Sequence, residues 1–160
     1  MSYRMVVITL LLSTMVTLPG CSAATNSENG ASSSQILMTE QASVRKSLEQ
    51  LVDAYENKQG SRFMALVAED YVGDSSILES GLRSAFSANH NVRIRFSVTH
   101  TTISENGKAA IGVNFTSNFE TRSTGKVAKS NGTTELVFKK EGGVYKLYSM
   151  QRPFLFGTTD

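Results

Sequence analysis

Apolar positions along this chain follow two different periods, and the change falls near Asn91. From Gln35 onward, Val44, Leu48, Leu51, Val52 and Tyr55 recur at steps of four, three, one and three, which marks one stripe of a helix. Arg45, Lys46, Glu49, Asp53 and Glu56 cover its other sides. Gln59-Gly60 predicts the end of that helix, and Ser61 can cap a short second one reaching about Val67. The run Glu69-Asp70-Tyr71-Val72-Gly73-Asp74 breaks the pattern. Ser76 with Glu79 three residues later matches a capping box, opening a third helix to about Ala88 with Leu78, Leu82, Ala85 and Phe86 on its buried stripe.

Beyond Asn91 the period is two. Val92, Ile94, Phe96 and Val98 alternate with Arg93, Arg95, Ser97 and Thr99, so one face is apolar and the other wet. Asn106-Gly107 is a hairpin signal, because both central positions of a type I′ turn need positive φ. The returning strand sets Ala109, Ile111, Val113, Phe115 and Phe119 against Gly112, Asn114, Thr116 and Asn118. The polar stretch Thr121 to Thr133 fits either a long curved strand extension or a loop. Thr134, Leu136 and Phe138 alternate next, and Glu141-Gly142-Gly143 turns the chain into a last strand, Val144 to Met150. Three helices followed by a four-stranded antiparallel meander predict an α+β domain with helices on one sheet face.

Ahead of this domain, residues 5–17 form an uncharged apolar run behind Arg4. It is shorter than the roughly twenty residues a membrane-crossing helix needs, and reads as a secretory signal. It ends in Leu18-Pro19-Gly20-Cys21, which resembles the lipobox of bacterial lipoprotein precursors. That resemblance implies cleavage before Cys21 and acylation of its thiol and new amine, palmitate-type chains included. Two or three acyl chains make a durable anchor where one does not. Residues 22–34, SAATNSENGASSS, are small and polar and read as a tether of roughly 20 Å mean reach. The expected division is a signal peptide over 1–20, a lipidated tether over 21–35 and a domain over 36–160. Ser22, where enteric-type sorting would read aspartate as an inner-membrane signal, points to the periplasmic face of the outer membrane in a cell with two membranes.

The order of elements, the break at LVAEDYVGD and the closing GGVYKLYSM resemble the NTF2-like superfamily, which includes ketosteroid isomerase and SnoaL-type cyclases. The resemblance implies a curved sheet wrapping three helices into a cone, whose open end often holds an apolar pocket, and members that often pair through their sheets. Tyr55, Phe63, Phe86, Phe115, Met150 and Arg152 are the expected lining of such a pocket. Enzymes of this superfamily place an Asp, His or Tyr inside it, which makes Asp70, His100, Tyr71 and Tyr148 the catalytic candidates, with Asp74 and Arg152 behind them. His100 continues the register of Val92–Val98, and Tyr148 shares its parity with Val144 and Met150. Each is as readily a structural residue: Asp74 a helix-entry group, Tyr71 a rim aromatic, His100 a solvated strand-end residue.

Composition narrows the function further. A formal net charge of +2, about +1 once Arg4 is removed, lacks the concentrated basic face of a nucleic-acid binder. The two histidines, His90 and His100, and the single cysteine fit no metal-ligand spacing, and neither phosphate-binding glycine motif is present. No cofactor is expected. Asn114-Phe115-Thr116 and Asn131-Gly132-Thr133 would accept glycans only in a eukaryotic secretory pathway. The tail Pro153-Phe154-Leu155-Phe156 is expected to cover a core edge; left exposed, it would mark a partner site. The reading that follows is a lipid-anchored envelope lipoprotein, non-catalytic, binding a small apolar ligand or a protein partner, with a homodimer through the sheet as one arrangement. The alternatives are a small isomerase, dehydratase or cyclase, and a structural part of an envelope assembly or secretion machine.

Overall fold

In a computed structural model the described residues are 28–156, with side chains from Ser33 onward. Three helices, α1 (Glu28–Glu56), α2 (Gly60–Ala65) and α3 (Ser75–Ala88), precede four strands, β1 (Asn89–Ile103), β2 (Lys108–Thr121), β3 (Val127–Glu141) and β4 (Val144–Met150). The strands pair antiparallel in the order β1-β2-β3-β4, the expected meander. Thr121 to Thr133 resolves into strand on both sides of a short turn, so the polar stretch extends the β2–β3 hairpin.

Three helix boundaries differ from expectation. α2 begins at Gly60 behind Gln59 with no side-chain cap bond, so Ser61 lies within the helix, which ends at Ala65 rather than near Val67. α1 begins at Glu28, so the second half of the expected tether, 28–34, is helical. Once a helix is nucleated by the packed turns behind it, adding uncharged residues costs little, and no apolar face is required. α3 is capped by Asp74 rather than by Ser76: the Asp74 carboxylate accepts from the Ser76 and Ile77 backbone N–H at 2.8 and 3.3 Å. Glu79 instead pairs with Arg83 one turn on, at 2.7 Å. Of the two residues able to cap, the charged one holds the N-terminus.

The core lies between α1 and the inner sheet face. Val44, Leu48 and Leu51 of α1 meet Ile111 and Val113 of β2, Leu136 and Phe138 of β3 and Leu147 of β4, each fully buried. Each such side chain contributes roughly 1.5–3 kcal/mol relative to exposure. Both sheet edges are partly covered. Residues 66–72 run beside β4, with Leu147 N–H donating to Leu66 O at 2.8 Å and Val72 N–H to Tyr148 O at 2.8 Å. At the other edge the Glu56 carboxylate accepts the Ile94 N–H at 2.5 Å. Such covers remove the unpaired backbone groups on which a second sheet could grow.

Three register shifts interrupt the ladders: between His90 and Arg93, between Val98 and His100, and in the β3–β4 pair beside Phe138. Each reverses the inside–outside order of the residues beyond it.

Candidate functional site

The interior of the cone is where a pocket was expected, and the chain's own end occupies it. After β4, Gln151 is still held to the sheet: its N–H donates to Glu135 O at 2.9 Å, and its carbonyl accepts the Thr134 hydroxyl at 2.6 Å. The next residues cross the inner face. Pro153 sits so close over Gly132 that a Cβ there would lie 2.7 Å from its Cγ, with the Phe115 ring 3.2 Å away. Leu155 and Phe156 then turn into the core, only 4% and 1% exposed. The Phe156 ring meets Phe63 edge-on at 5.0 Å between centroids and Tyr55 at 5.4 Å, and Tyr55 also meets Phe86 at 5.3 Å.

Tyr55, Phe63 and Phe86 therefore do converge, but Phe156 fills the space they bound. Phe115 is buried beneath Gly132 and Pro153, and Met150 is half-buried beside the core. Arg152 stays exposed, its guanidinium 5.1 Å from the Phe154 ring centroid. It lines no pocket. One hollow of about 300 Å³ runs along β1 and β2 beside Arg95, Phe96, Asn114 and Phe115. Another of about 300 Å³ lies between α2 and α3, bounded by Lys58, Gly60, Ser61, Glu79, Leu82, Arg83 and Phe86. Of the aromatic cluster only Phe86 borders it, and its lysine is already spent on the Phe86 carbonyl at 2.9 Å and the Asn89 carbonyl.

The catalytic candidates do not gather inside the cone. The shift between Val98 and His100 puts Thr101 and Ile103 on the inner face and turns His100 outward. Its ring lies across β2, where Gly112 leaves room: a Cβ on Gly112 would sit 2.2 Å from His100 Cε1. From there His100 Nε2 reaches Glu135 Oε2 on β3 at 3.3 Å, and Nδ1 lies 3.1 Å from the Thr99 hydroxyl. The β3–β4 shift does the same to Tyr148. Leu147 and Met150 face inward opposite Phe138 and Leu136, while Tyr148 turns outward under the Lys108 ammonium, 3.9 Å from its ring centroid. The parity shared by Tyr148, Val144 and Met150 along the sequence is thus broken by the bulge.

Asp70 is exposed and paired with Lys139 Nζ at 2.7 Å, a bond that lowers its pKa. Asp74 is the α3 cap, its carboxyl likewise held low by the Ser76 and Ile77 donors. Tyr71 is half-buried, packs against Gly73, and has its phenol pushed up by burial. Asp70 and Tyr148 approach each other outside the cone, with Lys139 and Lys108 beside both.

Apolar periodicity does not announce one half-buried acid–phenol pair. Glu40 of α1 accepts the Tyr145 hydroxyl at 2.6 Å and the Lys140 ammonium at 2.6 Å. The two donors hold the Glu40 carboxyl low, lysine first. Burial, then the carboxylate itself, pushes the Tyr145 phenol up to about 12. The signal available in the sequence was positional: Glu40 stands four residues before Val44 and eight before Leu48, on the apolar stripe where a carboxylate needs a partner. The pair ties α1 to the β3–β4 turn and faces no cavity among the described residues.

No group of three or more metal-ligating side chains gathers among the described residues, and no helix there is long and apolar enough to cross a membrane. Neither a family model nor a curated protein sequence matches the chain. Solved structures do. A candidate scytalone dehydratase from Novosphingobium aromaticivorans aligns with TM-score 0.68 at 9% identity, over 73% of this chain and 85% of that one. An NTF2-like superfamily protein from Salmonella enterica aligns with TM-score 0.63 at 9% identity, over 72% and 90%. The fold is NTF2-like. A type 2 hexachlorocyclohexane dehydrochlorinase aligns as well, with TM-score 0.63 at 10% identity over 76% and 88%. At such identities the likeness fixes the shape of the cone and says nothing of its chemistry.

Proposed function

We propose that this chain is a lipid-anchored envelope protein whose NTF2-like domain acts as a non-catalytic binding module for a protein partner, with its cone closed. The observation that carries this reading is Phe156, 1% exposed and packed between Phe63 and Tyr55, in the space where an apolar ligand would sit. The placement of His100, Tyr148 and Asp70 outside that interior supports it. Acid–base catalysis needs its groups within hydrogen-bond reach of one reacting centre. The lipobox-like Leu18-Pro19-Gly20-Cys21 supports the anchor and lies outside the described residues.

An enzymatic reading rests on the dehydratase and dehydrochlorinase names among similar folds. It would require the tail to leave and a base to enter the cone. Titration of the protein with an environment-sensitive apolar dye separates the two readings. The binding-module reading expects no saturable site; a one-to-one site with micromolar affinity in the unaltered chain would overturn it. For the anchor, radiolabelled palmitate should enter the wild-type chain and not Cys21→Ala, and equal labelling of both would refute it.

A further inference from the structure

The apolar stripe of α1 does not stop where the domain does. Leu37 precedes Val44, Leu48 and Leu51 by seven, eleven and fourteen residues, so it continues the buried face. Yet it is 46% exposed, and its neighbours Ile36 and Met38 are 61% and 69% exposed. Residues 33–39 are exposed throughout, ahead of the tie that Glu40 makes to Lys140 and Tyr145. Val144, 47% exposed on the β3–β4 turn beside that tie, adds a fourth large apolar group to the same end of the molecule.

We propose that this end, led by Ile36, Leu37 and Met38, rests in the interfacial layer of the bilayer that Cys21 anchors, and so fixes the domain's orientation on the membrane. The inference rests on the lipid-anchor reading. Three observations select a lipid surface over a second copy of the chain. The first is reach: six residues lie between Cys21 and the start of α1, seven steps of about 25 Å at full extension, and Leu37 is about 13 Å further along the helix. The second is charge: residues 29–39, NGASSSQILMT, carry none, so this stretch of helix enters an interface without desolvating an ion. The third is breadth. At about 100° per residue, three consecutive large side chains span some 200° of the helix surface, wider than the seam that one partner helix covers. A fluid interface accepts such an arc, and each side chain removed from water adds to the anchor.

The chain contains no tryptophan, so Met38→Trp supplies a single reporter, and Val127→Trp, at a position 76% exposed at the far end of the sheet, supplies its control. Both full-length lipidated chains would be reconstituted into phosphatidylethanolamine–phosphatidylglycerol vesicles, with and without brominated lipid. The expected result is a blue-shifted indole emission at position 38 that brominated lipid quenches, with the reporter at position 127 remaining at the emission of water-exposed indole and unquenched. Flotation with an unquenched, water-like reporter at position 38 would overturn the proposal while leaving the anchor standing. Failure to float would remove the anchor and the proposal together. A blue shift in detergent that grows with protein concentration, without quenching in vesicles, would assign the stripe to a second copy and overturn the lipid assignment.

Discussion

Phe156→Ala tests the closed cone by removing its stopper. The ring is 1% exposed and touches Phe63 and Tyr55 at centroid separations of 5.0 and 5.4 Å. Truncating a buried phenylalanine to alanine costs about 3–5 kcal/mol, of which each aromatic pair supplies about 0.5–1.5. The lower end applies here. No backbone hydrogen bond holds residues 153–156 among the described residues, so the shortened segment can move to reduce the void. A loss of about 3 kcal/mol, with a urea dependence of about 2 kcal/mol/M, moves the unfolding midpoint down by about 1.5 M at unchanged slope. The same variant gains space of aromatic-ring size lined by Tyr55, Phe63 and Phe86, and should take up a small apolar aromatic such as indole where the wild type does not. A midpoint shift below about 0.3 M, with no gain of ligand, would refute the packing argument, since a ring outside the core has little to lose.

Other outcomes follow from the polar contacts. Tyr145→Phe removes a hydroxyl bonded to the Glu40 carboxylate and should cost about 1–2 kcal/mol at neutral pH, read from urea midpoints. Because the folded phenol is raised to about 12, its contribution is complete below pH ~10 and declines as pH rises from there through about 12. Wild type should lose stability across that window, and the phenylalanine variant should lose less. Glu40 acts with the opposite sign: its lowered carboxyl gives stability present above the unfolded-state pKa and lost as pH falls through the folded one, so Glu40→Gln should flatten the acid limb of the stability curve. Asp74→Ala removes the α3 cap and should lower the urea midpoint, whereas Ser76→Ala, at the position expected from the sequence, should lower it less because its backbone N–H still donates. Gly112→Ala should displace the His100 imidazole from Glu135 at a cost under about 1 kcal/mol, since the ring can swing into solvent, with the change visible in the His100 ring proton shifts.

Much of this fold could be read from periodicity. Val44, Leu48 and Leu51 on α1, Leu78 and Leu82 on α3, and the alternating runs of β1 and β2 all pack as their spacing predicts. The tail also does what its composition suggests, with Leu155 and Phe156 covering the core. What the pattern could not carry is the bulge. An extra residue leaves alternation intact on either side of itself while reversing its sense, and nothing in VTHTT or KLYSM announces where that happens. Unbroken alternation would carry His100 inward with Val98 and put Tyr148 on one face with Met150; the bulges turn both outward. The Glu40–Tyr145 pair was hidden differently, by a separation of 105 residues that no local rule bridges. The start of α1 was obscured because serine-rich sequence reads as coil whether or not a packed helix lies behind it.

The closed cone is tested most directly by nuclear Overhauser contacts of the Phe156 ring in the wild-type chain. With its centroid 5.0 Å from Phe63 and 5.4 Å from Tyr55, its ring protons should give cross-peaks to both rings and shifts well away from unfolded values. A Phe156 ring at unfolded-chain shifts, with no cross-peak to either, would mean the cone is open and the closed-module reading is wrong.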